Sequence, residues 1–249
     1  MDFHLNIFYD IIIYMSKNAI KRIMQKDLKS IQVHNLEEMG IYIEFNEENM
    51  LEALAMIKGP DDSVYKNGLL FFKIKFPDNY PFSPPHVSYV SRGSLRIHPN
   101  LYTGYARDNY LGKVCLSILG TWSGPGWTTI MDISSVLISI QSLLDKNPLD
   151  HEPGFSGKKS MNHILYANAV EYENFRTLIT KNILDTPEEF MCFKDIINKH
   201  YISNKSEILK DMNEIMKVLK KHKRRGITIP IYRINLELRY DLLKKQLEI

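Results

Sequence analysis

The chain has 249 residues, 44% hydrophobic and 24% charged, with a formal net charge of +3. That composition excludes disorder along the whole length and leaves room for one large domain or a domain with an appendage. Two cysteines make no disulfide framework and no CxxC or HxxxH spacing appears, so no metal is expected and a reducing compartment, cytoplasm or nucleus, is the expected home.

In chain order, residues 1–15, "MDFHLNIFYDIIIYM", carry an apolar cluster at Ile11–Met15 with Asp2 and Asp10 and no basic residue before it. A signal peptide has the opposite sign and a membrane span needs about 20 apolar residues, so a soluble leader is expected and no membrane partner. From Ser16 to Gln32 the residues Ile20, Ile23, Met24, Leu28 and Ile31 recur at helical spacing, with Lys17, Lys21, Lys26 and Lys29 mostly off that stripe and Ser16 as the N-cap. Such a basic helix either meets an acidic partner or is merely solvated.

Four strand patterns follow, "GIYIEF", "MLEALAMI", "GLLFFKIKF" and "HVSYVS", joined by short turn-rich links. Short links imply antiparallel neighbours, hence a four-stranded meander over about 41–91 with one face under helices. Its last connection holds Pro77, Pro81, Pro84 and Pro85 among Phe76, Tyr80 and Phe82, a stiff preformed loop. Phe76 and Tyr80 are expected to anchor it in the core and Phe82 to face outward. "TTIMDISSVLISIQSLLDKN" reads as a core helix with Thr129 as N-cap and Asp132 three residues on, ending at Asn147-Pro148. Further helices are expected over about 156–183, 187–222 and 230–249. Charge is uneven, mildly acidic over 1–155 and basic over 156–249, which suggests two parts with different partners or simply a solvated helical surface.

The chemistry concentrates near Cys115. Free cysteine is among the most buried residue types, so packing is the bland reading for both cysteines, and for Cys192 in its helical stretch nothing displaces it. Cys115 differs because it follows the loop segment "YLGK" and precedes a rigid aromatic loop with Trp122, Pro125 and Trp127, which would place its thiol at a reachable lip. Upstream, "HPN" offers the Asn100 amide behind Pro99, a neutral donor able to stabilise an oxyanion when a thioester is attacked. Downstream, Asp150, His151 and Glu152 follow the core helix, where a carboxylate could orient an attacking amine. Asn100 could equally close a turn, and either acid could be a surface charge.

The order of a basic helix, "IKGPDDSVYKNGLLFFKIKFPDNYPFSPPHV", "HPNLY", "GKVCLSILGTW" and a helix ending in "NP" resembles the core of the ubiquitin-conjugating enzyme family. "CLSILGTWSGPGW", "ISSVLISIQSLL" and "EPGF" are similar to its large branch, which includes Apollon and the Z-type enzyme. The resemblance implies an α+β ubiquitin-conjugating (UBC) fold: an N-terminal helix, a four-stranded antiparallel meander, a core helix and additional C-terminal helices. It divides the chain into a leader (1–15), a conjugating core (16–185) and a basic helical extension (186–249). By the same resemblance Cys115 carries ubiquitin as a thioester, Asn100 supports the active-site loop and the tetrahedral intermediate, and Asp150 and Glu152 share an acidic role with the division between them left open. His98, with Pro99 and Trp122, has a structural part near the site. Phe82 and Pro125 fall on the ligase-contacting loops, and Lys17, Lys21, Arg22 and Lys26 on the helix that meets the activating enzyme. The implied transferase binds no cofactor, since ATP is used by the activating enzyme upstream. Its partners are ubiquitin or a ubiquitin-like modifier, the activating enzyme, a ligase and a substrate lysine.

The chain departs from the family pattern in "TGYARDN" (103–109), an apparent insertion between Asn100 and Cys115, and in "SGPGW", which replaces the commoner Ser-Pro-Ala. Three rival readings remain at this level: a binding module of the same fold without turnover, a nuclear address or nucleic-acid contact at Lys220, Lys221, Lys223, Arg224 and Arg225, and a cysteine hydrolase using His98 or His151. The basic run lacks interleaved aromatics to stack on bases, so nucleic acid is not expected as a partner.

Overall fold

The structure, a computed structural model, describes residues 15–104, 111–221 and 226–248. The leader up to residue 14, Tyr105–Asn109 of the inserted stretch, and Lys223, Arg224 and Arg225 lie outside the described residues. The chain divides into two compact units that interleave along the sequence, one of 1–57, 71–90 and 104–142, the other of 58–70, 91–103 and 143–249.

The first unit opens with helix α1 (15–33), which contains a π-helical stretch at Ile23–Asp27 and ends in the α-helical Leu28–Val33. Its buried row is Ala19, Ile23 and Asp27, at steps of four, so Met24 turns outward and is 58% exposed where the apolar stripe placed it inside. Asp27 holds this unit's helices and loops together. Its Oδ1 accepts the Tyr80 hydroxyl at 2.6 Å and the Ile133 N–H at 2.9 Å, and its Oδ2 pairs with Arg22 at 2.6 Å. Ser16 is inside the helix rather than capping it and hydrogen-bonds Asp78.

The sheet runs β1 (Ile41–Phe45), β2 (Glu52–Lys58), β3 (Leu69–Lys75), β4 (His86–Val90) and β5 (Leu111–Lys113), in that order. Four strands lie where alternation places them, and a fifth extends the meander. Three residues with a central glycine, in a segment that reads as loop, carry no period of their own, and pairing with β4 (Ser88 opposite Lys113, Val90 opposite Leu111) makes them a strand. Phe76 and Tyr80 are buried as anchors, Tyr80 edge-on to Phe76 at 4.9 Å, while Phe82 is 78% exposed. The core helix α2 (Ile133–Leu143) begins later than expected because Asp132, not Thr129, caps it: its Oδ1 accepts the Ser135 N–H at 3.0 Å. Ile133, Val136, Leu137 and Ile140 form its buried stripe.

The second unit contains α3 (Met161–Glu173), continued by a π-helical stretch Asn174–Lys181 and a last turn Asn182–Leu184. It also contains the 28-residue α4 (Lys194–Lys221) and α5 (Tyr240–Leu247). Tyr172, Phe175 and Ile179 pack with Ile208 and Met212 of α4 and with Tyr240, Leu243 and Leu247 of α5 as one hydrophobic cluster. Helix α4 also holds the 58–68 turn, through ion pairs from Lys66 to Glu207 and Asp211, both at 3.0 Å. Where a helix was expected from residue 230, the chain forms the hairpin β6 (Gly226–Ile229) and β7 (Ile234–Glu237) around a 3₁₀ turn at Pro230–Tyr232. The β-branched residues of "GITIPIYRI" favour a pleated surface over a helix. Cys192, expected to be packed in a helix, is exposed in the 3₁₀ stretch Glu188–Phe193.

Candidate active site

Cys115 follows β5, and the turn after it is built to fix its backbone. Gly120 takes a left-handed conformation (φ 66°), the Thr121 N–H reaches back to the Leu116 carbonyl at 3.2 Å, and the Thr121 side chain brackets the cysteine. Thr121 Oγ1 accepts the Leu116 N–H at 2.9 Å and lies 2.7 Å from the Val114 carbonyl, to which its hydroxyl donates. Motif reading missed Thr121, whose importance comes from the turn that returns it to residues 114–116. Cys115 itself is 2% exposed, which corrects the expectation of a thiol at an open lip: the segment that the turn fixes packs inward, next to the fully buried Val114.

On the same unit, Pro125 and Trp122 are exposed, and the Trp127 indole N–H donates to the Pro81 carbonyl at 2.7 Å, joining the second aromatic loop to the proline-rich one that displays Phe82. Lys17 and Lys21 are exposed on α1; Lys26 is exposed too, and its ammonium donates to the Ile130 carbonyl at 2.6 Å. Arg22 departs from the partner-facing set. Its side chain is only 14% exposed, paired to Asp27 and donating to the Met131 carbonyl at 2.9 Å, because a buried carboxylate needs a cation beside it. Burial raises the Asp27 carboxyl above its usual value, and burial together with Asp27 pushes the Tyr80 phenol far upward.

The second unit holds the "HPN" turn. His98 is fully buried, and its Nδ1 accepts the Asn100 backbone N–H at 3.0 Å. Burial, and next the His151 ring 4.7 Å away, push its imidazole down to about 3. A neutral ring already accepting a backbone proton holds a loop and is a poor general base, which weakens the hydrolase reading at His98. His151 in turn lies 3.0 Å from Asp145. Asn100 is almost buried within this turn, and the Arg96 guanidinium hydrogen-bonds the Pro99 carbonyl while stacking on the Tyr102 ring at 3.6 Å.

The two candidate acids, left interchangeable by the sequence, have different anchors. Asp150, in the 3₁₀ turn Pro148–His151, pairs with His163 at 3.3 Å, while Glu152, just past the turn, accepts the Tyr232 hydroxyl at 2.9 Å. Tyr232 is 80 residues away in sequence, and no local signal announces it. Among the described residues no group of three His, Cys, Asp or Glu is placed to hold a metal ion, and no helix is long and apolar enough to cross a membrane.

In the first unit a five-stranded antiparallel sheet is followed by a cysteine, and in the second a histidine holds an HPN turn; comparison with known proteins gives the class. The family model described as "Ubiquitin-conjugating enzyme" matches residues 23–176, more than half of the chain, and the chain belongs to that family. It is similar to ubiquitin-conjugating enzyme E2 Z of Danio rerio, 38% identical over 170 residues that cover 66% of this chain and 48% of the relative. A probable ubiquitin-conjugating enzyme E2 25 of Arabidopsis thaliana is 38% identical over 209 residues, covering 80% of this chain and 32% of that protein. The solved E2 domain of a Toxoplasma gondii ubiquitin conjugating enzyme aligns with a TM-score of 0.47 and 22% identity, covering 63% of this chain and 99% of that domain. The chain spans about half the length of the E2 Z relatives it matches.

Proposed function

We propose that the chain is a ubiquitin-conjugating enzyme that takes ubiquitin or a ubiquitin-like modifier from an activating enzyme onto Cys115 and passes it to a lysine or to a ligase. The observation that carries this reading is the family match over 23–176, a span that includes Asn100, Cys115, Asp150 and Glu152. ATP is consumed by the activating enzyme, and the reaction needs no cofactor on this chain. A reduced thiol is required, which suits cytoplasm or nucleus.

In the first transfer the Cys115 sulfur attacks the thioester carbonyl on the activating enzyme, whose thiolate leaves as the proton of Cys115 is lost to solvent. An ordinary thiol near 8.5 supplies a few per cent thiolate at neutral pH, so no histidine base is needed. In the second, a lysine nitrogen attacks the new thioester, the Cys115 thiolate leaves, and the amine gives up its proton as the amide forms. Free lysine near 10.4 is mostly protonated, so Asp150 or Glu152 would orient and deprotonate the amine while the Asn100 amide stabilises the oxyanion. The buried sulfur must become accessible for the first step.

Incubation with activating enzyme, ATP and ubiquitin followed by a non-reducing gel tests this. A DTT-sensitive adduct lost in Cys115→Ser is expected. No adduct with ubiquitin or with a panel of ubiquitin-like modifiers would leave the chain a non-catalytic module of the same fold.

A further inference from the structure

Tyr232 sits in the 3₁₀ turn of the C-terminal hairpin, outside the segment matched by the family model, yet it reaches two parts of the candidate site. Its hydroxyl donates to Glu152 Oε2 at 2.9 Å, and its ring lies 5.2 Å from that of the fully buried Tyr166. The Tyr166 hydroxyl donates to the Arg96 carbonyl at 2.6 Å, and the Arg96 guanidinium hydrogen-bonds the Pro99 carbonyl. One chain of contacts thus runs from the hairpin through α3 to the HPN turn, with Glu152 as a branch.

We propose that Tyr232 is a positioning residue for the lysine-transfer step, holding the Glu152 carboxylate in one orientation through Oε2 while Oε1 is left to receive the acceptor amine. The proposal rests on Glu152 serving that step. A carboxylate on a turn has several side-chain rotamers open to it, and a hydrogen bond to one oxygen biases it toward a single one before the amine arrives. Burial, reinforced by the charge of Glu152, holds the phenol well above its usual value, so Tyr232 remains an O–H donor at any pH where transfer runs. Chemically, the hairpin would form part of the transfer machinery and a truncation before Gly226 would release Glu152.

The test uses the full chain charged with ubiquitin on Cys115 and purified as the thioester, so that discharge to free lysine is measured per charged molecule. Tyr232→Phe keeps the ring against Tyr166 and removes only the hydroxyl. Its discharge rate is expected to fall roughly 10-fold, within the range that misplacement of a reacting group produces. Glu152→Gln should slow discharge at least as much, and the double variant should be no slower than Glu152→Gln alone, since Tyr232 acts through that carboxylate. The loss in Tyr232→Phe should appear in the maximal rate at saturating lysine and not in the lysine concentration giving half of it. If Glu152→Gln slows discharge and Tyr232→Phe does not, or if the two losses multiply in the double variant, the positioning role is wrong while the role of Glu152 stands. If Glu152→Gln is silent, the assignment of Glu152 fails and takes this inference with it. Charging and discharge slowed by the same factor in Tyr232→Phe would mark a merely structural contact and overturn the proposal.

Discussion

Replacing Asp27 by alanine should destabilise the first unit by about 4 kcal/mol. The substitution leaves the Tyr80 hydroxyl and the Ile133 N–H, both on buried residues, without their acceptor, and leaves the Arg22 guanidinium its contacts with the Met131 carbonyl and the Tyr80 ring but no anionic partner at residue 27. Each orphaned buried donor costs roughly 1–3 kcal/mol, and breaking a buried ion pair from one side costs about 3–5 kcal/mol. These figures describe overlapping losses and are not added. Against a typical total of about 5–15 kcal/mol the loss is a large fraction. With a urea slope of about 1–3 kcal/mol per molar, the midpoint should drop by roughly 2 M. Both tryptophans of the chain, Trp122 and Trp127, belong to the same unit as Asp27, and Trp127 lies 5.9 Å from the Tyr80 ring, so fluorescence-monitored urea unfolding reports on it directly. Asp27→Asn keeps an oxygen for Tyr80 and Ile133 and should lose about half as much. A change below 1 kcal/mol in Asp27→Ala would refute the reasoning, and equal losses in the two variants would mean that charge rather than hydrogen bonding holds the junction.

Three further outcomes follow from the site. His98 is neutral in the fold down to about pH 3 and titrates near 6.5 when unfolded. Between those values the unfolded chain therefore binds a proton that the native one does not. Stability is full above about 6.5 and falls as pH is lowered, by up to about 1.4 kcal/mol per pH unit from this group. Urea midpoints at pH 7, 6 and 5 should show a slope that flattens in His98→Asn, and identical slopes would contradict the assignment. Thr121→Val removes the hydroxyl that serves Leu116 and Val114 and should cost about 1–3 kcal/mol, with Thr121→Ser restoring most of it; a neutral Thr121→Val would show that the hydroxyl does not hold the cysteine segment. Asn100→Ala should slow discharge to lysine by about 10²–10³ and charging much less, and equal slowing of the two steps would remove the amide from the transition state.

Four strands, the core helix and the split between buried Phe76 and Tyr80 and outward Phe82 were legible in the sequence, because alternation, helical period and proline rigidity are properties of neighbouring residues. The motifs "HPN" and "GKVCLSILGTW" pointed to the family for a similar reason: their residues lie close together in the chain. Tertiary structure decided the rest. A three-residue strand has no period until β4 supplies its partners. Asp27 looks like one more charge on a helix until Tyr80 and Ile133, 53 and 106 residues away, aim their donors at it. Asp150 and Glu152 are interchangeable as letters and become distinct once His163 takes one and Tyr232 the other. Short-range order follows from steric and hydrophobic rules read along the chain, whereas the partner of each of these polar groups depends on which distant segments the fold brings together.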